Sequence, residues 1–166
     1  MALNRQGVSD MIRDCLRADT SVLYGSSLLL QGIFSDPAKF ANAKTNKGSP
    51  YNLYIWASTG DNSEDRMQSA HDSLNVNLKF QANTRINNIK TAVDNIDLAY
   101  ERIKKLLRKQ MYDGTMFTDY YTDSNDILID LSIVNSDLEP PEDNDDNSII
   151  IDGTGNIFVL IKRFNI

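Results

Sequence analysis

From Leu74 to Ala82 the chain alternates apolar and polar residues without an error, and a second apolar pattern of a different period follows at once. The period of two specifies a strand with Leu74, Val76, Leu78 and Phe80 on a buried face. Its other face is polar, so that side of the sheet is wet or meets a polar partner. In the second pattern Ile86, Ile89, Val93, Ile96, Tyr100, Ile103 and Leu107 recur at three or four residues, which predicts a helix over 84–110. Thr84 is its expected cap and Gly114, reached through Asp113, its stop. A half-buried strand joined to an amphipathic helix commits the chain to a sheet with a helix on one face.

The flanking segments extend that plan. Val8, Met11, Ile12, Cys15 and Leu16 form an apolar helical stripe near the N-terminus, with Ser9 or Asp10 as the expected cap and an end near Asp19-Thr20. Ser27 to Phe34 and Tyr51 to Ala57 read as strands. The polar stretches 36–50 and 58–72 read as long exposed loops, the second a mobile loop or binding arm. Beyond the long helix, Met116 to Thr122 and Ile127 to Val134 carry strand signals, the latter with apolar side chains on both faces. Residues 136–147, with Pro140-Pro141, interrupt them as an acidic insert. Ile149–Ile151 and Ile157–Phe164 then flank Asp152-Gly153-Thr154-Gly155-Asn156, which has the composition of a hairpin turn. The expected fold is a single α+β domain over 1–166, an antiparallel or mixed sheet packed against one long helix and a short N-terminal helix.

Composition narrows function by exclusion. With 17 basic and 23 acidic residues among 166, the net charge is −6, which argues against a general nucleic-acid coat. One cysteine and one histidine exclude an internal disulfide and a His-rich metal site. Arg5, Asp10, Arg13, Asp14, Arg17 and Asp19 leave no signal-peptide core to be drawn in the first thirty residues, and no apolar run approaches a membrane span.

A nucleophile needs a base within reach. Cys15 lies on the apolar stripe and His71 beside Asp72 in a polar stretch, so they read as a core residue and an exposed loop residue. The acidic run lacks the glycine of an EF-hand loop, and Asp152-Gly153-Thr154-Gly155 lacks the lysine of a phosphate loop. No catalytic, cofactor or metal site emerges, and a non-enzymatic role is expected.

Two charged clusters remain. Arg102, Lys104, Lys105, Arg108 and Lys109 make the end of the long helix basic, which complements its dipole. Lys104, Lys105 and Arg108 are expected to project away from Ile103, Leu106 and Leu107 as one solvent-facing patch. Asp137, Glu139, Glu142, Asp143, Asp145 and Asp146 make the insert acidic. Each is ordinarily a solvated surface. On one chain they could also pair between copies of a homo-oligomer, or let an acidic ring present positive charge to DNA.

The order of elements resembles the tail-completion, or tail-terminator, proteins of phages. The features that carry the resemblance are "MIRDCLRADTSVLYGSSLLLQGIF", with Leu16-Arg17-Ala18-Asp19 closing the first helix, and "SPYNLYIWAS", with Pro50-Tyr51 leading the second strand. The alternating strand, the long helix and the closing antiparallel strands follow in the family's order. The resemblance implies a structural virion protein of the head–tail joint, assembled in the host cytoplasm. It implies a homo-oligomeric ring, typically a hexamer, that caps the tail tube, contacts the tube protein and the head–tail connector, and lets DNA pass only as cargo in its channel. Lys104, Lys105 and Arg108 would then line the channel or meet an acidic neighbour, and the long polar loops would order on contact with neighbours. The chain departs from a compact family member at 36–50, 58–72 and 136–147. Two alternatives stand beside this one. The first is another neck or connector-layer protein. The second is a monomeric acidic regulator or inhibitor that binds one protein partner through the acidic insert.

Overall fold

The computed structural model describes residues 5–25, 28–45, 51–57, 71–85, 89–112, 126–138, 142–143 and 148–163. The elements run α1 (Arg5–Arg17), β1 (Gly32–Phe34), α2 (Pro37–Thr45), β2 (Tyr51–Ala57), β3 (His71–Arg85), α3 (Ile89–Tyr112), β4 (Asp126–Leu138), β5 (Glu142–Asp143) and β6 (Ser148–Arg163). The strands form one mixed sheet in the order β1-β2-β3-β6-β4, with β5 also paired to β6. β1 and β2 are parallel and every other pair is antiparallel. This is an α+β fold with a long helix and a short N-terminal helix. Among the described residues no helix is long and apolar enough to cross a membrane.

One face of the sheet carries the core. Leu53 and Ile55 of β2, Val76, Leu78, Phe80 and Ala82 of β3, and Ile151, Ile157 and Val159 of β6 are all buried. Against them pack Val8, Met11, Ile12, Cys15 and Leu16 of α1 and Ala92, Ile96, Ala99, Tyr100, Ile103 and Leu107 of α3. Fully burying one such side chain contributes about 1.5–3 kcal/mol relative to exposing it, so this seam holds the fold together. From Val76 to Ala82 the buried face therefore reads as expected, within a longer strand.

The central strand β6 departs most from expectation. Residues 152–156 are not a turn. They lie mid-strand, paired to Gln81–Asn77 on one side, while Gly153–Asn156 also face β4 on the other. Pairing to β3 along the whole segment, and to β4 along Gly153–Asn156, engages its backbone and outweighs its turn-prone composition. Gly153 stands opposite Phe80, whose ring meets Tyr100 of α3 edge-on at 5.9 Å. A strand glycine marks a place where a neighbour comes close, and here α3 crosses the sheet with small Ala92 and Ala99 on its inner side.

Other boundaries shift for comparable reasons. Thr84 does not cap α3, because β3 continues to Arg85 in register with Ser148 of β6. α1 begins at Arg5 rather than at Ser9 or Asp10, since Val8 is already fully buried and needs a turn before it. The strand expected over 27–34 contracts to Gly32–Phe34. His71 and Asp72 belong to β3 rather than to a loop. The register of β4 against β6 slips between Leu128 and Asp130 and again between Ile133 and Asn135.

Residues 36–50 are not a simple loop either, because α2 occupies 37–45. The Ala38 amide donates to Asp36 Oδ1 at 2.9 Å and the Phe40 amide to the Asp36 carbonyl at 3.1 Å, so Asp36 caps α2 and Pro37 takes the first helical position. A parallel return from β1 to β2 needs a crossover, and α2 supplies it. Phe40 of α2 stacks on Tyr54 at 5.3 Å, and Tyr54 on Trp56 at 4.7 Å. Tyr54 and Trp56 alternate with buried Leu53 and Ile55, so α2 sits on the face opposite α1 and α3. The acidic insert is likewise partly ordered: residues 136–138 extend β4, and Glu142–Asp143 form β5 against Ile150 and Ile149. Met116–Thr122, Gly114 and all of 58–70 lie outside the described residues.

Candidate functional site

A helix that covers a sheet with one stripe leaves two flanks, and the two flanks of α3 differ. Asn95, Leu98, Arg102 and Lys105 follow one another at three and four residues and so share one flank. Opposite them runs the segment between α1 and β1, folded back on itself: the Tyr24 amide donates to the Asp19 carbonyl at 3.0 Å, and Leu30 to the Leu23 carbonyl at 2.7 Å. Leu23 and Leu30 are buried and pin this segment to the core. Between it and α3 opens a groove of about 840 Å³, walled by Ser21, Val22, Leu28 and Leu29 on one side and by Asn95, Leu98, Glu101, Arg102, Lys105 and Arg108 on the other.

Asp19 fixes the groove's width. Its carboxylate accepts from Arg102 Nε at 2.7 Å, from Arg102 Nη2 at 3.3 Å and from Ser21 Oγ at 3.1 Å. The Asp19 side chain is only 6% exposed. The Arg102 hydrogen bond, aided by Ser21 and the Val22 backbone, holds its carboxyl below the usual carboxylate range despite burial. The same contact raises Arg102 above its already high value. This two-point tie joins the end of α1 to the middle of α3.

The basic cluster expected as one patch is divided. Arg102 is committed to Asp19. Lys104 turns to the other flank, half-buried, with Nζ 3.0 Å from Glu101 Oε1 and 5.0 Å from the centre of the Tyr100 ring. Its aliphatic stem and charge are thus both used within the helix. Lys105 and Arg108 are exposed and line the groove, and Lys109 is exposed outside its walls. A helix turns about 100° per residue, so Lys104 and Lys105 cannot share a direction.

Sequence reasoning passed over the apolar part of this site. Val22 and Leu98 are 40% and 57% exposed, the only large exposed apolar side chains among the described residues, and both are in the groove walls. Leu98 was detectable, since it stands off the Ile96–Tyr100–Ile103–Leu107 stripe on an otherwise polar flank. Val22 carried no such signal, because only the fold-back of residues 19–30 brings it beside α3.

Of the acidic residues, Asp137 lies in β4 opposite Thr154, and Glu142 and Asp143 in β5, at the sheet edge remote from β1. Glu139, Asp145 and Asp146 lie outside the described residues. Cys15 is buried, and burial together with nearby Asp19 pushes its thiol up to about 12, so it stays protonated at neutral pH. Among the described residues no three His, Cys, Asp or Glu side chains converge as metal ligands do. No protein-family model matches the chain, and no curated protein matches it.

Proposed function

We propose that this chain is a non-enzymatic assembly protein, a component of the phage head–tail joint that works as a homo-oligomeric ring around a DNA channel. The observation that carries this proposal is the groove. It combines exposed Val22 and Leu98 with the exposed cations Lys105 and Arg108 on a chain of net charge −6, and apolar surface rimmed by charge marks a protein-binding site. The order of helix, strands, long helix and closing antiparallel strands, together with the Leu16-Arg17-Ala18-Asp19 helix end, supports the tail-terminator assignment over a generic binding protein. In this setting Asp19 has a structural task, which is to tie that helix end to α3 and so shape the assembly surface. The partners of the ring are the tail tube and the head–tail connector, with DNA as cargo.

The test is the mass of the purified full chain across concentration by light scattering, with negative-stain images of the same sample. Rings with an open centre are the expected result. A monomer at every concentration that binds a single basic protein in a salt-sensitive way would overturn the ring in favour of an acidic regulator.

A further inference from the structure

We propose that the groove beside α3 is one half of a head-to-tail contact between copies, and that it receives the acidic strand β5 of a second copy with the acids that flank it in sequence. This rests on the homo-oligomeric assignment above and specifies its surfaces. The occupant must suit both halves of the groove's chemistry. Lys105 and Arg108 supply exposed positive charge, while Val22 and Leu98 supply apolar contact. The stretch 137–146, DLEPPEDNDD, holds six acids together with Leu138, Pro140 and Pro141. No other ten-residue stretch of the chain holds as many acids, so this one is the chain's own best complement to the groove.

The contact joins two different surfaces of the chain. The non-helical wall of the groove leads into β1, at one edge of the sheet, whereas Asp137, Glu142 and Asp143 stand in β4 and β5 at the other. A chain whose donor segment and acceptor groove are different surfaces joins heterologously, and such contacts close into rings or extend as filaments. The charge term should make assembly weaken as salt rises from about 0.05 M to about 0.5 M, where the screening length falls severalfold.

Charge exchange on the full chain tests the pairing. One variant carries Lys105→Glu with Arg108→Glu, the other Glu142→Lys with Asp143→Lys, and circular dichroism checks that each folds. Each alone is expected to self-associate at least about tenfold more weakly than the native chain. An equimolar mixture is expected to regain assembly, since each variant then offers the surface that the other has inverted. If the native chain assembles and the Lys105/Arg108 variant assembles equally well, this contact is wrong while the oligomer stands. If both variants fail alone and fail together, the groove matters but β5 is not its occupant. If the native chain is monomeric throughout, both proposals fall. A synthetic peptide of residues 136–147 then identifies a substitute. Binding of an unrelated Glu/Leu-rich peptide without binding of this one would assign the groove to a foreign acidic chain.

Discussion

Arg102 and Lys105 stand one turn apart on the same flank of α3, and they have opposite tasks. Arg102 is bound at two points by a buried carboxylate and closes the fold, while Lys105 is exposed on the groove wall. In sequence they are two members of one basic run. What separates them is the partner: Asp19, eighty-three positions away, binds Arg102, while Lys105 stands exposed on the groove wall. Charge alone thus names neither a structural nor a functional residue. Burial of the counter-charge decides it, because a buried carboxylate deprived of its cation is costly and an exposed ammonium is not.

The largest expected effect breaks neither of these but the seam beneath both. Ile103→Ala removes a fully buried side chain between Arg102 and Lys104, and a loss of about 2–5 kcal/mol by urea denaturation is expected. A loss below about 1 kcal/mol would mean that α3 does not seat on the sheet through this stripe.

Next comes the clamp. Asp19→Ala or Arg102→Ala is expected to cost about 1.5–3 kcal/mol, the worth of a charge-assisted hydrogen bond in a partly buried site. The double variant should lose little more than either single one, since both remove the same interaction. The sign of the pH dependence follows from Asp19. Its folded carboxyl titrates below its unfolded value, so the clamp's contribution is fully present above about pH 4–5 and fades as pH falls through the folded value. Asp19→Asn should therefore flatten the acid limb of the native stability profile. An unchanged limb would show that Arg102 does not hold this carboxyl.

The contrast between these two cations also shows what could be read in advance. The alternation at 74–82 and the stripe of α3 were legible because each is local and repeats over several turns or pleats, so the period survives errors at its ends. The Asp36-Pro37 start of α2 was legible in principle as a cap followed by a proline, yet the weak apolar pattern of 37–45 hid it. The path of residues 152–156 was not legible, because a glycine-rich pentapeptide has the same composition in a turn and in a strand held on both edges. Nothing local to Asp19 announces Arg102, and nothing local to Val22 announces Leu98. Both pairings depend on how the segment after α1 folds back, which is a tertiary fact. The candidate site was therefore half visible, as a list of cations without their apolar neighbours or their division.

The smallest expected effect on stability sharpens the comparison most. Lys105→Ala with Arg108→Ala removes two exposed cations that hold no buried partner in place, and thermal unfolding of the monomer should move by no more than about 0.5 kcal/mol. Leu98→Ser should likewise leave the monomer unharmed or slightly stabilised, since more than half of that side chain is already in water. Read beside Arg102→Ala, these variants separate two uses of one helix flank. If they unfold the chain as readily as Arg102→Ala does, the whole flank is structural and the groove is a by-product of packing. If they leave the fold intact and abolish self-association in the same samples, the cations of α3 divide as their partners do: the one with a buried carboxylate holds the chain together, and those without one hold chains to each other.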